Sequence, residues 1–130
     1  MIALATTLLL AGAQSFVSPP AGSELRKAVL DGLRPAVEKR LGPNVEFKVT
    51  VIRVQSGWAF VVADPQHKGG KPIDGRRIFG EDFGNMDGLR VDAVLRKSGR
   101  RWVVVDHAIG ATDVWYCGVG PKSLMADWGC

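Results

Sequence analysis

At Gly42-Pro43 the spacing of apolar residues changes period, and this change constrains the fold more than any other feature of the chain. Upstream, Leu25, Val29, Leu33, Ala36, Val37 and Leu41 recur every three or four positions, which puts them on one helical face. Ser23 has the chemistry of an N-cap, and Glu24 suits the positive end of the helix that follows. Pro35 lies inside the pattern, where it removes a hydrogen bond and crowds the carbonyl four residues back. It predicts a kink or two short helices.

Downstream, Val45, Phe47, Val49 and Val51 alternate with Glu46, Lys48 and Thr50, the period of a half-buried strand. Gln55-Ser56-Gly57 is a tight turn, and residues 58–63 are apolar at every position, as in a central strand of the sheet. Residues 64–88 show little periodicity and read as one long loop, functional or mobile. Leu89, Val91, Ala93 and Leu95 then point one way while Arg90, Asp92 and Arg96 point the other, and Ser98-Gly99 turns the chain into a strand over 102–109. Residues 114–117 have the character of a short further strand or extended segment. This order predicts an α+β fold, with an N-terminal helix packed on a curved antiparallel sheet of about four strands, in a single domain over 23–130.

Residues 2–13 are apolar or small without one charge, and Ala11-Gly12-Ala13 before Gln14 suits a signal peptidase. The stretch is about half the roughly 20 residues that span a bilayer, so a signal peptide over 1–13 and a linker over 14–22 are expected, with no stable membrane anchor. The two cysteines, Cys117 and Cys130, both lie beyond this segment, and an exported chain with an even count predicts a disulfide between them. Two free thiols in a cytosolic protein are the alternative. The expected location is periplasmic or secreted.

At 46% hydrophobic and 23% charged residues the chain has a globular composition, which argues against disorder, collagen and coiled coil. Seventeen Lys and Arg against thirteen Asp and Glu give +4, but the basic residues come as scattered pairs with acids nearby rather than as one stripe with aromatics. No nucleic-acid partner is expected. The helix-then-hairpins order resembles cystatin-like and nuclear-transport-factor-2-like (NTF2-like) small domains. A closer likeness lies in Gly57-Trp58-Ala59-Phe60, Pro72-Ile73-Asp74, the hairpin from Leu95 to Trp102, then His107, Gly110, Thr112-Asp113-Val114 and Trp115, which in that order resemble a group of small exported bacterial proteins without an assigned function. That resemblance implies location and fold and carries over no catalytic residue. Cystatin inhibitors carry a Gln-x-Val-x-Gly hairpin, whereas the corresponding turn here reads Gln55-Ser56-Gly57.

The catalytic candidates are His107 and Asp113. Imidazole titrates near physiological pH, and His107 shares the strand parity of Val103, Val105 and Ile109, so it can face a pocket between helix and sheet. Asp106 points to the opposite face, which leaves Asp113, across the Gly110 bend, as the carboxylate for a pair. The plainer reading is a partly buried histidine with one backbone partner. In the long loop, His67, Lys68 and Lys71 flank Gly69-Gly70, whose amides can approach an anion, and Arg76 and Arg77 add charge that Glu81 and Asp82 can neutralise. A solvated loop is the plainer reading there.

Of the four tryptophans, Trp58 and Trp102 are expected in the sheet core. Trp115 and Trp128, with Tyr116, form either a recognition patch or a cover over the end of the sheet. Two histidines forty residues apart supply no metal-ligand pair, so neither metal nor cofactor is expected. The leading reading is a non-catalytic exported domain that binds an envelope protein or small molecule, as a monomer or homodimer, through residues 64–88 and the C-terminal aromatics. A small pocket enzyme using His107 with Asp113, or an inhibitor of an exported hydrolase, are the alternatives.

Overall fold

A computed structural model describes residues 16–130, so the expected signal peptide over 1–13 lies outside the described residues. The period change at Gly42 is realised as α1 (Glu24–Leu41) followed by β1 (Val45–Gln55) and β2 (Trp58–His67). A short α2 (Gly75–Phe79) and a 3-10 helix (Gly80–Asn85) come next, then β3 (Val91–Ser98) and β4 (Arg101–Ile109). The four strands form one antiparallel sheet in chain order, β1-β2-β3-β4. The fold is α+β, with the helix on an open sheet.

Ser23 caps α1 by accepting the Arg26 N–H, and Val29, Leu33, Val37 and Leu41 bury one stripe of the helix. That stripe meets Ile52, Ala59, Val61, Ala63, Val91, Ala93, Leu95 and Trp102 from one sheet face. The expected kink does not divide the helix: α1 runs through Pro35 as one element, with the proline on its exposed side. Packing of the buried stripe holds the axis where the local hydrogen bond is lost. Gly42 ends the helix by donating to the Glu38 carbonyl at 2.9 Å. The Glu38 carboxylate also accepts the Val45 N–H at 3.0 Å, while Arg34 donates to the Val45 carbonyl, so helix end and strand start are tied together.

The uninterrupted apolar run in β2 has its reason in a second core. Ala59, Val61 and Ala63 face α1, whereas Phe60 and Val62 face away and join Val94, Tyr116, Leu124 and Met125. The C-terminal segment thus lies across the other face of the sheet, closed by the Cys117–Cys130 disulfide and by the Tyr116 hydroxyl donating to the Trp128 carbonyl at 2.7 Å. Of residues 114–117, expected as a short further strand or extended segment, Trp115, Tyr116 and Cys117 lie in a turn and no strand forms there. Trp102 is buried in the first core as expected, but Trp58 is half-buried on the second, with the Arg96 guanidinium 4.5 Å from its ring centroid.

Three further boundaries differ from the expectation. β2 continues through Pro65 because only β1 pairs with it there; β3 has already left the ladder after Ala63, so no bond on that side is lost. Residues 64–88 are not one structureless loop, since α2 and the 3-10 helix occupy their second half. β3 begins at Val91 rather than Leu89. Within the expected linker, Val17 pairs with Val54 through bonds of 2.9 and 2.8 Å and covers part of the outer edge of β1.

Candidate functional site

A bulge in β4 decides where its side chains point. Leu95 pairs with Val104 and Val94 with Asp106, so Val105 is an extra residue and the alternation shifts by one. His107 therefore shares the helix-side face with Ile109, Trp102 and Val104, and not with Val103 and Val105 as strict alternation implies. Val103 and Val105 are exposed, each at 49%. Asp106 is on the opposite face from His107, and its carboxylate accepts the His107 backbone N–H at 2.8 Å.

His107 is half-buried at the floor of a shallow recess of about 260 Å³ that it shares with Arg40, Phe79, Ala108 and Ile109. Three elements build this site. Arg40 comes from the last turn of α1, where the helix dipole favours a cation. Phe79 ends α2 and lies under the Arg40 guanidinium, 5.1 Å from ring centroid to cation. Among the described residues, no carboxylate stands within ion-pair distance of Arg40, and the His107 ring nitrogens make no hydrogen bond. The recess thus presents a guanidinium and an imidazole over an apolar floor.

The His107–Asp113 pair is not joined. Asp113 is exposed in the turn after Gly110 and makes no hydrogen bond to His107. The Gly110 bend instead serves the backbone, donating to the Arg90 carbonyl at 2.7 Å.

Around His67 the turn uses its backbone amides internally. The Gly69 N–H donates to the Glu46 carboxylate at 3.1 Å and Gln66 Nε2 to the same oxygen at 3.4 Å, so the amide proposed for an external anion already holds an internal one. The His67 N–H donates to the Lys71 carbonyl, closing the turn, and the Lys68 and Lys71 side chains are exposed. Arg76 lies 5.9 Å from the Phe83 ring centroid and Arg77 is exposed; neither pairs with Glu81 or Asp82. Trp115 and Trp128 are half-buried against the second core, where they cover the sheet.

Asp92, read from its parity as an outward polar residue, is 1% exposed, because Trp115 and Tyr116 cover the face it points to. Its Oδ1 takes the Arg90 Nε at 3.1 Å, and Arg90 also reaches Asp87 at 2.8 Å and the Ala111 carbonyl at 3.2 Å. Burial pushes the Asp92 carboxyl above the usual range, opposed chiefly by the Arg90 charge. The nearby Trp115 indole also lowers it, although its Nε1 closes no hydrogen bond. The cluster ties β3 to the chain after β4 and has no opening to solvent at Asp92.

Among the described residues no three His, Cys, Asp or Glu side chains converge, and no helix is long and apolar enough to cross a membrane. Compared with known protein families, curated proteins and solved structures, the chain matches none.

Proposed function

We propose that this chain is an exported, non-catalytic binding domain that takes a carboxylate-bearing group, on a small molecule or an envelope protein, in the recess between α1, α2 and β4. The observation that carries the proposal is the convergence of the Arg40 guanidinium and the His107 imidazole over Phe79 and Ile109, neither group having an ion-pair or ring hydrogen-bond partner among the described residues. A guanidinium already oriented by an aromatic ring loses less freedom on pairing with a carboxylate, and its fork matches the two oxygens. The apolar floor accommodates the hydrocarbon part of such a ligand. The disulfide supports export, since such bonds persist in oxidising compartments. Phe79 belongs to the 64–88 segment, so that part of the chain contributes a wall of the site while the C-terminal aromatics contribute the second core.

Isothermal titration of the oxidised chain with a panel of aliphatic and aromatic carboxylates and their amides tests the proposal. Saturable binding of acids over amides, lost in Arg40→Gln and weakened in His107→Gln, is expected. Binding of acids and amides alike, or binding that survives Arg40→Gln, refutes it.

A further inference from the structure

Two openings lie along one seam of the molecule, between α1 and β4. The recess at Arg40 and His107 occupies one end. One helical turn before Arg40 a groove of about 590 Å³ begins, lined by Ala28, Gly32, Pro35 and Ala36 of α1 and by Trp102 and Val104 of β4. Ala28, Gly32, Ala36 and Arg40 stand four residues apart and form one row on the helix surface. Gly32 rests against the Trp102 backbone and Arg40 shares its recess with His107, so helix and strand advance along the seam together. The contact at Gly32 closes the seam underneath, which makes the groove a surface channel with an apolar floor.

Positive charge is in excess along this channel. Arg100 and Arg101 stand at its far end with no acid within ion-pair distance among the described residues, while Asp31 on its rim is already held by Lys27 at 2.7 Å and by Arg34 at 2.6 Å. An anion is drawn to such a channel.

We infer that the ligand is a straight-chain fatty acid, with its head at Arg40 and His107 and its tail in the groove, an assignment that rests on the recess being a carboxylate site. From Arg40 back to Ala28 the helix rises about 18 Å, and from His107 back to Arg101 an extended strand covers about 20 Å, less what the bulge takes up. An extended chain advances about 1.2 Å per bond, so a tail of about twelve carbons fills that length. A thin, unbranched tail suits a channel whose floor is closed at Gly32, and laying it against Ala28, Ala36 and Val104 removes apolar surface from water. An ester or alcohol of the same tail lacks the charge that Arg40 and His107 meet.

Isothermal titration of the oxidised full chain with butanoate, octanoate and dodecanoate, below micelle formation, extends the short-chain carboxylate panel and tests the assignment; octanol is the neutral control. A methylene lying half-covered in an open groove tightens binding about twofold, so each two carbons should give about fourfold, up to about twelve carbons. Octanol should bind at least about tenfold more weakly than octanoate. Ala36→Phe fills the channel one turn before Arg40, and should leave butanoate binding unchanged while holding the longer acids at the butanoate level. Acids of every length binding alike, with the dependence on Arg40 intact, overturn the placement of the tail and leave the recess as a carboxylate site. Octanol binding as tightly as octanoate, or a length dependence that persists in Ala36→Phe, also overturns it. Binding of acids that survives Arg40→Gln removes the carboxylate site itself, and this assignment with it.

Discussion

Replacing Gly32 with alanine should destabilise this protein, against the usual direction for a glycine inside a helix. In an unhindered helix the exchange gains about 1 kcal/mol from backbone entropy. Here α1 crosses β4 at Gly32, and an added Cβ stands 2.8 Å from the Trp102 Cβ and 2.9 Å from its carbonyl carbon, with the carbonyl oxygen nearer still. Comfortable carbon contacts lie at about 3.5 to 4.0 Å, so the helix must retreat from the strand by roughly an ångström. Two of the crowding atoms are backbone, which cannot rotate away. Overpacking of this kind costs about 1 to 3 kcal/mol and occasionally more, and because α1 buries its stripe on the same sheet face, the upper part of that range applies. After the propensity gain, a net loss of about 1 to 2 kcal/mol remains, or roughly 4 to 10 °C in Tm. Gly84→Ala is the control, since nothing lies within 4 Å of its added carbon. Its stability should stay within about 0.5 kcal/mol of wild type. Urea melts of the three proteins decide the matter: a Gly32→Ala protein as stable as wild type, or more so, refutes the close approach of α1 to β4.

Further outcomes follow from the second core. Asp92 is held above its ordinary pKa by burial, so in the window between the unfolded and folded values the native state binds more protons than the unfolded one. Stability contributed by this group therefore falls as pH rises through that window and is lower throughout above it. The Tm difference between wild type and Asp92→Asn should change in that sense across the acid range, and a difference independent of pH contradicts it. Cys117→Ser with Cys130→Ser should cost about 2 to 4 kcal/mol in denaturant melts, because the bridge closes the segment that covers Phe60 and Val62. An unchanged midpoint would mean that the segment holds without it. Leu124→Ala should cost about 2 to 5 kcal/mol, since its side chain is fully buried between the C-terminal segment and the sheet. A loss below about 1 kcal/mol would place it at a loose surface.

Much of the architecture is legible in the sequence, for reasons that particular residues make plain. Leu25 to Leu41 keep helical period and Val45 to Val51 keep strand period, and each element has a turn residue at its end. The disulfide is legible because only one pairing of two cysteines exists. The second core is hidden, since the segment carrying Tyr116, Leu124 and Met125 has no repeating period; only the unbroken apolar run of β2 announces that both sheet faces are covered. Asp92 reads as solvent-facing for the same reason.

The candidate site is less legible. His107 is identifiable as facing the helix side, but a one-residue bulge at Val105 separates it in orientation from Val103, and alternation alone has no means of registering an extra residue. Its neighbours Arg40 and Phe79 lie far away in the chain and carry no motif; the run of Lys39 and Arg40 at the end of an apolar-striped helix is their only trace. Pro35 misleads in the other direction, because a local rule about helix interiors is overridden by packing of Leu33 and Val37.

The account rests most heavily on the recess at Arg40 and His107. A 1H–15N spectrum of the oxidised chain, titrated with the tightest acid of the carboxylate panel, tests it most directly. Saturable shifts confined to Arg40, Phe79, His107, Ala108 and Ile109 are the predicted result. Shifts centred on the His67 to Lys71 turn or on Trp115 and Trp128, or shifts that never saturate, would contradict it.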